Sequence, residues 1–304
     1  MSNFTVTILG CGSAKPNTRH MPSAQAICYN GRVLIMDCGE GTQLQLSRFH
    51  ISFAKITDIF ISHLHGDHFL GLPGLLSTMA LHSVQGTVTV HIFREGAELL
   101  KRILDVVAHS LTFTLKFDII DPENPVVDFE SRTFEVVPLK LYHRIPCVGY
   151  IFREKGKSRH INGEMAKFYN VPKYMMNSLR DGADLELPDG RVIPNNILTT
   201  EPSPCRSYAY CSDTSFCLKV AEAVKGVDVL YHESTYGDDR AYLALGRGHS
   251  SARQAAQIAR RAGVKKLVIG HYSSVVLDAS ELVAQAGEEF QNVVAANEGM
   301  VIEL

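Results

Sequence analysis

The sequence predicts a layered α/β fold, and three observations carry that reading. Short strand-like apolar runs are mixed with helix-length segments along most of the chain. Polar residues with metal or acid–base chemistry recur just beyond those runs, at the edge where layered α/β folds assemble their sites. The composition, 45% hydrophobic and 20% charged over 304 residues, suits a soluble globular chain with a sizeable buried core.

Phe4 to Gly10 alternates and reads as a strand. Ala24 to Tyr29 and Arg32 to Met36 read as a hairpin across Asn30-Gly31, a strong short turn signal. Gly39-Glu40-Gly41-Thr42 leads into a helix from Thr42 to Phe49, and 56–61 is the next strand. Leu75 to His82 reads as a helix behind Gly71-Leu72-Pro73-Gly74. Thr87 to Phe93 reads as a strand and Gly96 to Ala108 as a helix. More strands are expected over 111–141, around a loop marked by Pro122 and Pro125. Residues 153–200 differ in character, with Arg153, Lys155, Lys157, Arg159 and His160, a short helix near Gly163 to Tyr169, and a Pro188-Asp189-Gly190 turn. They read as an insertion projecting from a single domain of 1–304. The αβ pattern then resumes. Strands are expected at 207–211, 227–231, 266–269, 292–295 and 300–302. Helices are expected at 215–224, 250–262 and 279–291, the second capped by Ser250.

The formal charge of −2 advertises no nucleic acid, so any anionic polymer must meet local patches. The sequence has no apolar run near the roughly 18 residues a membrane span requires. The start, Met1-Ser2-Asn3-Phe4, lacks the shape of a signal peptide. Seven scattered cysteines without a CxxC predict reduced thiols in a cytoplasmic protein, with Cys11, Cys28, Cys38 and Cys211 in the core and no zinc–thiolate spacing.

The densest chemistry is Ser62-His63-Leu64-His65-Gly66-Asp67-His68, at the exit of the 56–61 strand. His63 and His65 are two apart, so in an extended segment both rings face one side. Asp67 and His68 follow where the chain turns. One short segment can therefore serve two metal ions with the imidazole and carboxylate donors that catalytic zinc takes. His143, Asp213 and His271 each lie just past another apolar strand and supply candidates for the missing ligands.

This pattern resembles the metallo-β-lactamase superfamily and, within it, the ribonuclease Z family of transfer-RNA 3′-processing endonucleases, over nearly the whole chain. The narrower resemblance rests on the extended motif from His63 to Leu75, on His232-Glu233-Ser234-Thr235-Tyr236, on Gly248-His249-Ser250-Ser251, and on Pro16-Asn17-Thr18-Arg19-His20. It implies an αββα four-layer sandwich with an inserted arm at 153–200 that grips transfer RNA. It implies two zinc ions, with manganese as an alternative: the first on His63, His65 and His143, the second on Asp67, His68 and His271, and Asp213 bridging them. Arg19 would meet the acceptor end, and Lys155, Lys157 and Arg159 would contact phosphate. The resemblance also implies a homodimer. The chain departs from the family pattern at His20, where asparagine is usual, at Ser251 for threonine, and at Asn170 to Met176, which lacks a Gly-Pro-rich tip.

Two metals roughly 3.5–4 Å apart clamp the attacking and leaving oxygens of an in-line displacement. Asp67 is expected to orient or deprotonate the attacking water, His249 to protonate the departing 3′ oxygen, and Glu233 to hold the His249 tautomer. The expected products are a transfer RNA with a 3′-hydroxyl and a trailer with a 5′-phosphate. The competing expectations are a hydrolase of small phosphodiesters or other esters on the same fold, and a non-catalytic RNA-binding module with structural zinc.

Overall fold

Strand pairing builds two large sheets. The structure, a computed structural model, describes residues 4–15, 17–108, 110–129 and 131–304. Pro16, in the loop expected to meet the acceptor end, and the Met1–Asn3 start lie outside them. The first sheet has the order Val301–Glu303, Phe4–Gly10, Ala24–Tyr29, Arg32–Cys38, Ile56–Phe60, Thr87–Ile92, Thr114–Ile119. The second has the order Val293–Ala295, Lys266–Gly270, Val229–Glu233, Ser207–Cys211, Val148–Glu154, Phe134–Lys140. The hairpin turn falls on Asn30 and Gly31 as expected, with φ of 47° and 83°, the positive pair a type I′ turn requires.

The chain divides into two compact units, one of Met1–Phe129, Val136–Phe152 and Ser207–Leu304, the other of Glu130–Glu135 and Arg153–Arg206. The second unit therefore runs past residue 200 and takes in a short earlier segment. In the first unit the sheets meet through inward rings. Phe60 of the first sheet makes edge contacts with Tyr150 and Phe152 of the second, and Tyr150 Oη donates to the Ile61 carbonyl. Helices cover the outer faces. Arg94–Val107 buries Gly96, Ala97, Leu100 and Leu104, the three-and-four spacing of one helical stripe. Ala252–Ala262 buries Ala252, Ala255, Ala256 and Ala259 against the other sheet. The result is the four-layer αββα arrangement.

Several helix boundaries differ from the sequence reading. The helix expected from Leu75 begins at Leu72, because Pro73 is tolerated in the first turn, where its missing N–H has no partner to lose. The helices expected at 215–224 and 279–291 shorten to Leu218–Ala223 and Ser280–Gly287. The cap of Ala252–Ala262 is Ser251, not Ser250: Ser251 and Gln254 form a reciprocal capping box. Ser250 is buried, and its hydroxyl donates to the Thr214 carbonyl at 2.6 Å. Cys28 is half-buried, whereas Cys11, Cys38 and Cys211 are core residues.

The second unit has its own small apolar cluster of Ala166, Val171, Leu179, Leu185, Ile193 and Leu198. The strand pair Leu185–Glu186 with Val192–Ile193 flanks the expected turn. Buried Glu154 accepts from Arg206 Nη2 and Lys157 Nζ, each at 2.7 Å.

Within the first sheet, His91 is buried, stacked on Phe60 with centroids 4.2 Å apart. Its nitrogens meet Asp118 Oδ2 at 2.7 Å and Asp58 Oδ1 at 3.1 Å. Burial opposes the imidazolium, but the two carboxylates outweigh it and raise the pKa. Asp118 moves oppositely: burial works against its charge, and His91 prevails and lowers its pKa. The raised histidine pKa gives stability that is complete below the unfolded value of about 6.5 and lost as pH rises through the folded value. The lowered Asp118 pKa gives stability present above about 3.9 and lost as pH falls through its folded value. Replacing His91 by Gln should therefore cost roughly 1.5–3 kcal/mol near pH 6 and clearly less near pH 9, measured by denaturant unfolding. Equal losses at both pH values would remove the charged-imidazole account.

Candidate metal centre

The ends of neighbouring strands bring the predicted ligands together. Ile56–Phe60 runs parallel to Arg32–Cys38, so the 62–68 segment leaves the sheet beside Asp37. In the second sheet Ser207–Cys211, Val229–Glu233 and Lys266–Gly270 are parallel neighbours. Asp213, Glu233 and His271 thus emerge along one edge. Asp37, Asp213 and His271 all adopt left-handed backbone, with φ of 55°, 58° and 59°. That conformation costs a non-glycine residue about 1–2 kcal/mol and persists where surrounding contacts enforce it.

Two triads result. In the first, His65 Nδ1 lies 3.0 Å from His63 Nε2 and 3.3 Å from His143 Nε2. In the second, His68 Nε2 lies 3.2 Å from His271 Nε2 and 3.4 Å from Asp67 Oδ2. Asp213 faces both. Its Oδ2 is 3.5 Å from His63 Nε2 and 3.7 Å from His143 Nε2, while its Oδ1 is 3.3 Å from His68 Nε2 and 2.9 Å from His271 Nε2. Ligand bonds of about 2.0–2.2 Å in a tetrahedron give donor–donor edges of about 3.3–3.6 Å. The donors' spacing and their imidazole and carboxylate chemistry therefore fit two divalent ions sharing Asp213.

Side chains behind the triads fix which nitrogen points inward. His68 Nδ1 donates to Asp37 Oδ2 at 2.7 Å, His143 Nδ1 to the Gly248 carbonyl at 2.7 Å, His63 Nδ1 to Ser62 Oγ at 3.0 Å and His271 Nδ1 to Thr235 Oγ1 at 3.0 Å. Four imidazoles therefore present Nε2 and His65 presents Nδ1. Gly248, with φ 74°, has no room for a side chain, because a Cβ would lie 2.8 Å from His143 Nδ1. Burial holds His63, His65 and His143 below the ordinary imidazole pKa, in the neutral form that ligates. His68 and His271 are raised: burial resists, but Asp67 and Asp213 prevail at His68, as Asp213 does at His271. A cation entering the second triad must displace those protons.

Asp67 Oδ2 also accepts from the Ala14 N–H at 2.6 Å. His249 Nδ1 pairs with Glu233 Oε1 at 2.9 Å. Burial works against a charged His249, but Glu233 outweighs it and raises the pKa. Glu233 is fully buried and also accepts from the Thr214 N–H and the Thr235 hydroxyl. A cavity of about 370 Å³ opens over this group, lined by His65, Asp67, Asp213, His249 and His271, with Glu40 and Arg144 among its other walls.

Arg19 is exposed and donates to the Ser274 carbonyl at 2.6 Å. In the second unit, Lys157 pairs with Glu154 at 2.7 Å and Arg159 with Glu201 at 2.5 Å, so these cations are held by carboxylates of the same unit. Lys155 is half-buried, and its N–H donates to the Thr133 carbonyl at 2.9 Å. The sequence reading passed over Asp37 and Thr235 as orienting groups. Asp37 was findable by the rule that located Asp213, being a polar residue at the end of an apolar strand.

Comparison with known proteins follows the same lines. Ribonuclease Z of Parabacteroides distasonis is 44% identical over 300 residues, 99% of each chain. The chain belongs to the ribonuclease Z family. The crystal structure of human tRNase Z, short form, superposes with a TM-score of 0.71 at 26% identity, over 98% of each chain. The metallo-β-lactamase fold protein YhfI from Bacillus subtilis matches in fold, with a TM-score of 0.70 and 19% identity over 100% of each chain. A family model described as anti-Pycsar protein Apyc1 matches residues 4–155, the half that carries His63 to His143 but not Asp213, Glu233, His249 or His271. Family membership implies a divalent-metal hydrolase, the chemistry for which the two triads are arranged.

Asp37 generates a test within this ribonuclease Z centre. Asp37→Asn keeps the shape but removes the anionic acceptor behind His68. It should weaken metal retention about 10–100-fold in chelator competition while circular dichroism stays native. Unchanged retention would show that Asp37 serves packing alone.

Proposed function

We propose that this chain is an endoribonuclease that removes the 3′ trailer from precursor transfer RNA, leaving a 3′-hydroxyl on the transfer RNA and a 5′-phosphate on the trailer. The observation that carries the reading is Asp213, whose two oxygens serve the two triads beneath an open cavity that His249 also lines. A closed structural metal site has four ligands of its own and no opening, whereas here each ion would have three of its own, share Asp213 with the other and face the cavity, which disfavours a non-catalytic RNA-binding role. Full-length similarity to ribonucleases Z favours RNA over small esters as substrate.

His63, His65, His143 and Asp213 would hold one ion, and Asp67, His68, His271 and Asp213 the other. Bound there, the ions supply positive charge against the phosphate and lower the pKa of water toward about 7. The imidazole-rich donor set suits zinc, and manganese is also compatible with it. Asp67, fixed by the Ala14 N–H, orients the attacking water and accepts its proton. His249 is anchored through Nδ1 to Glu233 and offers Nε2 to the scissile bond. As the P–O3′ bond breaks, Nε2 delivers a proton to the departing 3′ oxygen, and Glu233 stabilises the imidazolium that precedes transfer.

In this reading the second unit is the arm that contacts transfer RNA. Lys173 supports it, because it forms no ion pair among the described residues, and so does Tyr174, an exposed ring at 82% accessibility suited to stacking on a base. Arg19 and His20 belong to the loop that would meet the acceptor end. Leu44, Leu70 and Leu81 are exposed on or beside helices of the first unit and favour a homodimer in which a second copy covers them. No helix among the described residues is long and apolar enough to cross a membrane. The described cysteines are all free, which favours a cytoplasmic setting.

End mapping of a cleaved precursor tests the proposal: a 3′-hydroxyl upstream and a 5′-phosphate downstream are expected, and a 3′-phosphate upstream would overturn it. His249→Ala should lower kcat on precursor transfer RNA about 10²–10⁴-fold with metal content intact. It should slow a nitrophenyl phosphodiester far less, since that leaving group departs without a proton. Parallel losses on both substrates would assign His249 to binding or positioning instead.

A further inference from the structure

A second cluster of metal-ligating side chains lies outside the seven-residue centre. Cys11 follows the strand Phe4–Gly10, His20 belongs to the loop before Ala24–Tyr29, and Glu298 belongs to the turn before Val301–Glu303. Their donor atoms converge: Cys11 Sγ lies 3.3 Å from His20 Nδ1 and 3.6 Å from Glu298 Oε1, and His20 Nδ1 lies 3.1 Å from Glu298 Oε2. We propose that Cys11, His20 and Glu298 form a third metal site, which takes a zinc-class divalent cation and fastens the loop beneath Asp67.

The spacing carries the assignment. Bonds of about 2.3 Å to sulfur and 2.0–2.2 Å to nitrogen and oxygen give tetrahedral edges of about 3.3–3.7 Å, and the observed separations of 3.3, 3.6 and 3.1 Å, the last two to the two oxygens of Glu298, lie close to that range. The donor types select the ion: a thiolate with an imidazole and one carboxylate suits zinc or cobalt and not the hard, oxygen-seeking magnesium or calcium. Neighbouring groups set the donors before any ion arrives. The Met21 N–H donates to Glu298 Oε1 at 2.8 Å, and the His20 ring rests on Tyr272 with centroids 5.3 Å apart. Tyr272 is itself fixed through its hydroxyl to the Ile269 carbonyl at 2.7 Å. Cys11 is buried, whereas the His20 and Glu298 side chains keep 19% and 14% exposure, which opens one side for entry and for a water in the fourth position.

The site has a consequence for the first centre. Cys11 and His20 bracket the segment whose Ala14 N–H grips Asp67 Oδ2. An ion held between Glu298 and both ends of that segment fixes where the N–H points. Cys11, His20 and Glu298 are then positioning residues, one step removed from the chemistry.

Cobalt separates the two kinds of site. The ligands of the first centre are histidines and aspartates, so a thiolate-to-cobalt charge-transfer band in the near ultraviolet can come only from a cysteine. Full-length protein loaded with Co²⁺ should bind three equivalents and show that band. Cys11→Ser should abolish the band while keeping two equivalents. Glu298→Gln, at a partly exposed position that folding tolerates better, should weaken the third equivalent at least tenfold in titration and leave the other two unchanged. Two equivalents and no band in the unmodified protein would overturn the proposal, as would a band that survives in both variants.

Discussion

The structure turns on one buried carboxylate whose two oxygens look in opposite directions. Asp213 is 2% exposed, and burying an anion is costly unless cations or donors surround it. Burial pushes its pKa up, and His271, His68 and His63 pull it well down. The carboxylate can serve both triads only because the backbone turns left-handed immediately after the strand Ser207–Cys211. Bonds on the far side hold that turn: the Thr214 N–H to Glu233 Oε1 at 2.8 Å and the Ser215 N–H to the Tyr142 carbonyl at 2.7 Å. The second of these ties the Asp213 turn to the loop carrying His143. A displacement of this turn would thus loosen both triads and the loop of a third ligand together.

Parallel pairing places the rest. Cys211 stands opposite His232 and Glu233 opposite Gly270, so residues just past three strands share one edge. The ligating imidazoles are then held from behind by acceptors drawn from both sheets, Asp37 and Ser62 at the edge of the first, Thr235 and the Gly248 carbonyl in loops at the edge of the second. Tyr210 Oη crosses from the second sheet to Asp37 Oδ2 at 2.7 Å, so the orienting network is also a joint between the sheets. A network of this kind stabilises when every member is satisfied and destabilises when one is lost, which couples the order of the site to the packing of the sandwich.

How much of this the sequence discloses depends on whether partners are local. The 62–68 segment discloses itself because four ligands share one strand exit. His143, Asp213 and His271 are legible because each ends an apolar run. The hairpin at Asn30-Gly31 is legible because its turn chemistry is local. Asp37 and His68 are 31 positions apart and Thr235 and His271 are 36 apart, so no spacing rule joins them. The choice between Ser250 and Ser251 as helix cap required the Gln254 reciprocal bond and the alternative partner of Ser250. The cations of 153–200 look free in the sequence because Glu201, the partner of Arg159, lies 42 positions away. Cys11 and Glu298 are 287 positions apart, which is why a search for paired cysteines finds no thiolate site there.

The loop from Gly12 to Pro22 shows how these constraints meet at the chemistry. Its base is fastened twice, by the Gly12 N–H to the Met21 carbonyl at 2.9 Å and by the Ser13 N–H to the Tyr272 carbonyl at 3.0 Å. Tyr272 directly follows the ligand His271, so one wall of the cavity is continuous from loop to ligand. Ala14, Lys15 and Thr18 remain exposed, while Ala14, at φ 41°, turns its N–H inward to Asp67. A loop that must face a large substrate and also fix a carboxylate to within a few tenths of an ångström needs a rigid base under an open tip. The fastening at Cys11, His20 and Glu298 lies at that base, and strain at Ala14 is retained because the bonds on either side leave the backbone no easier path.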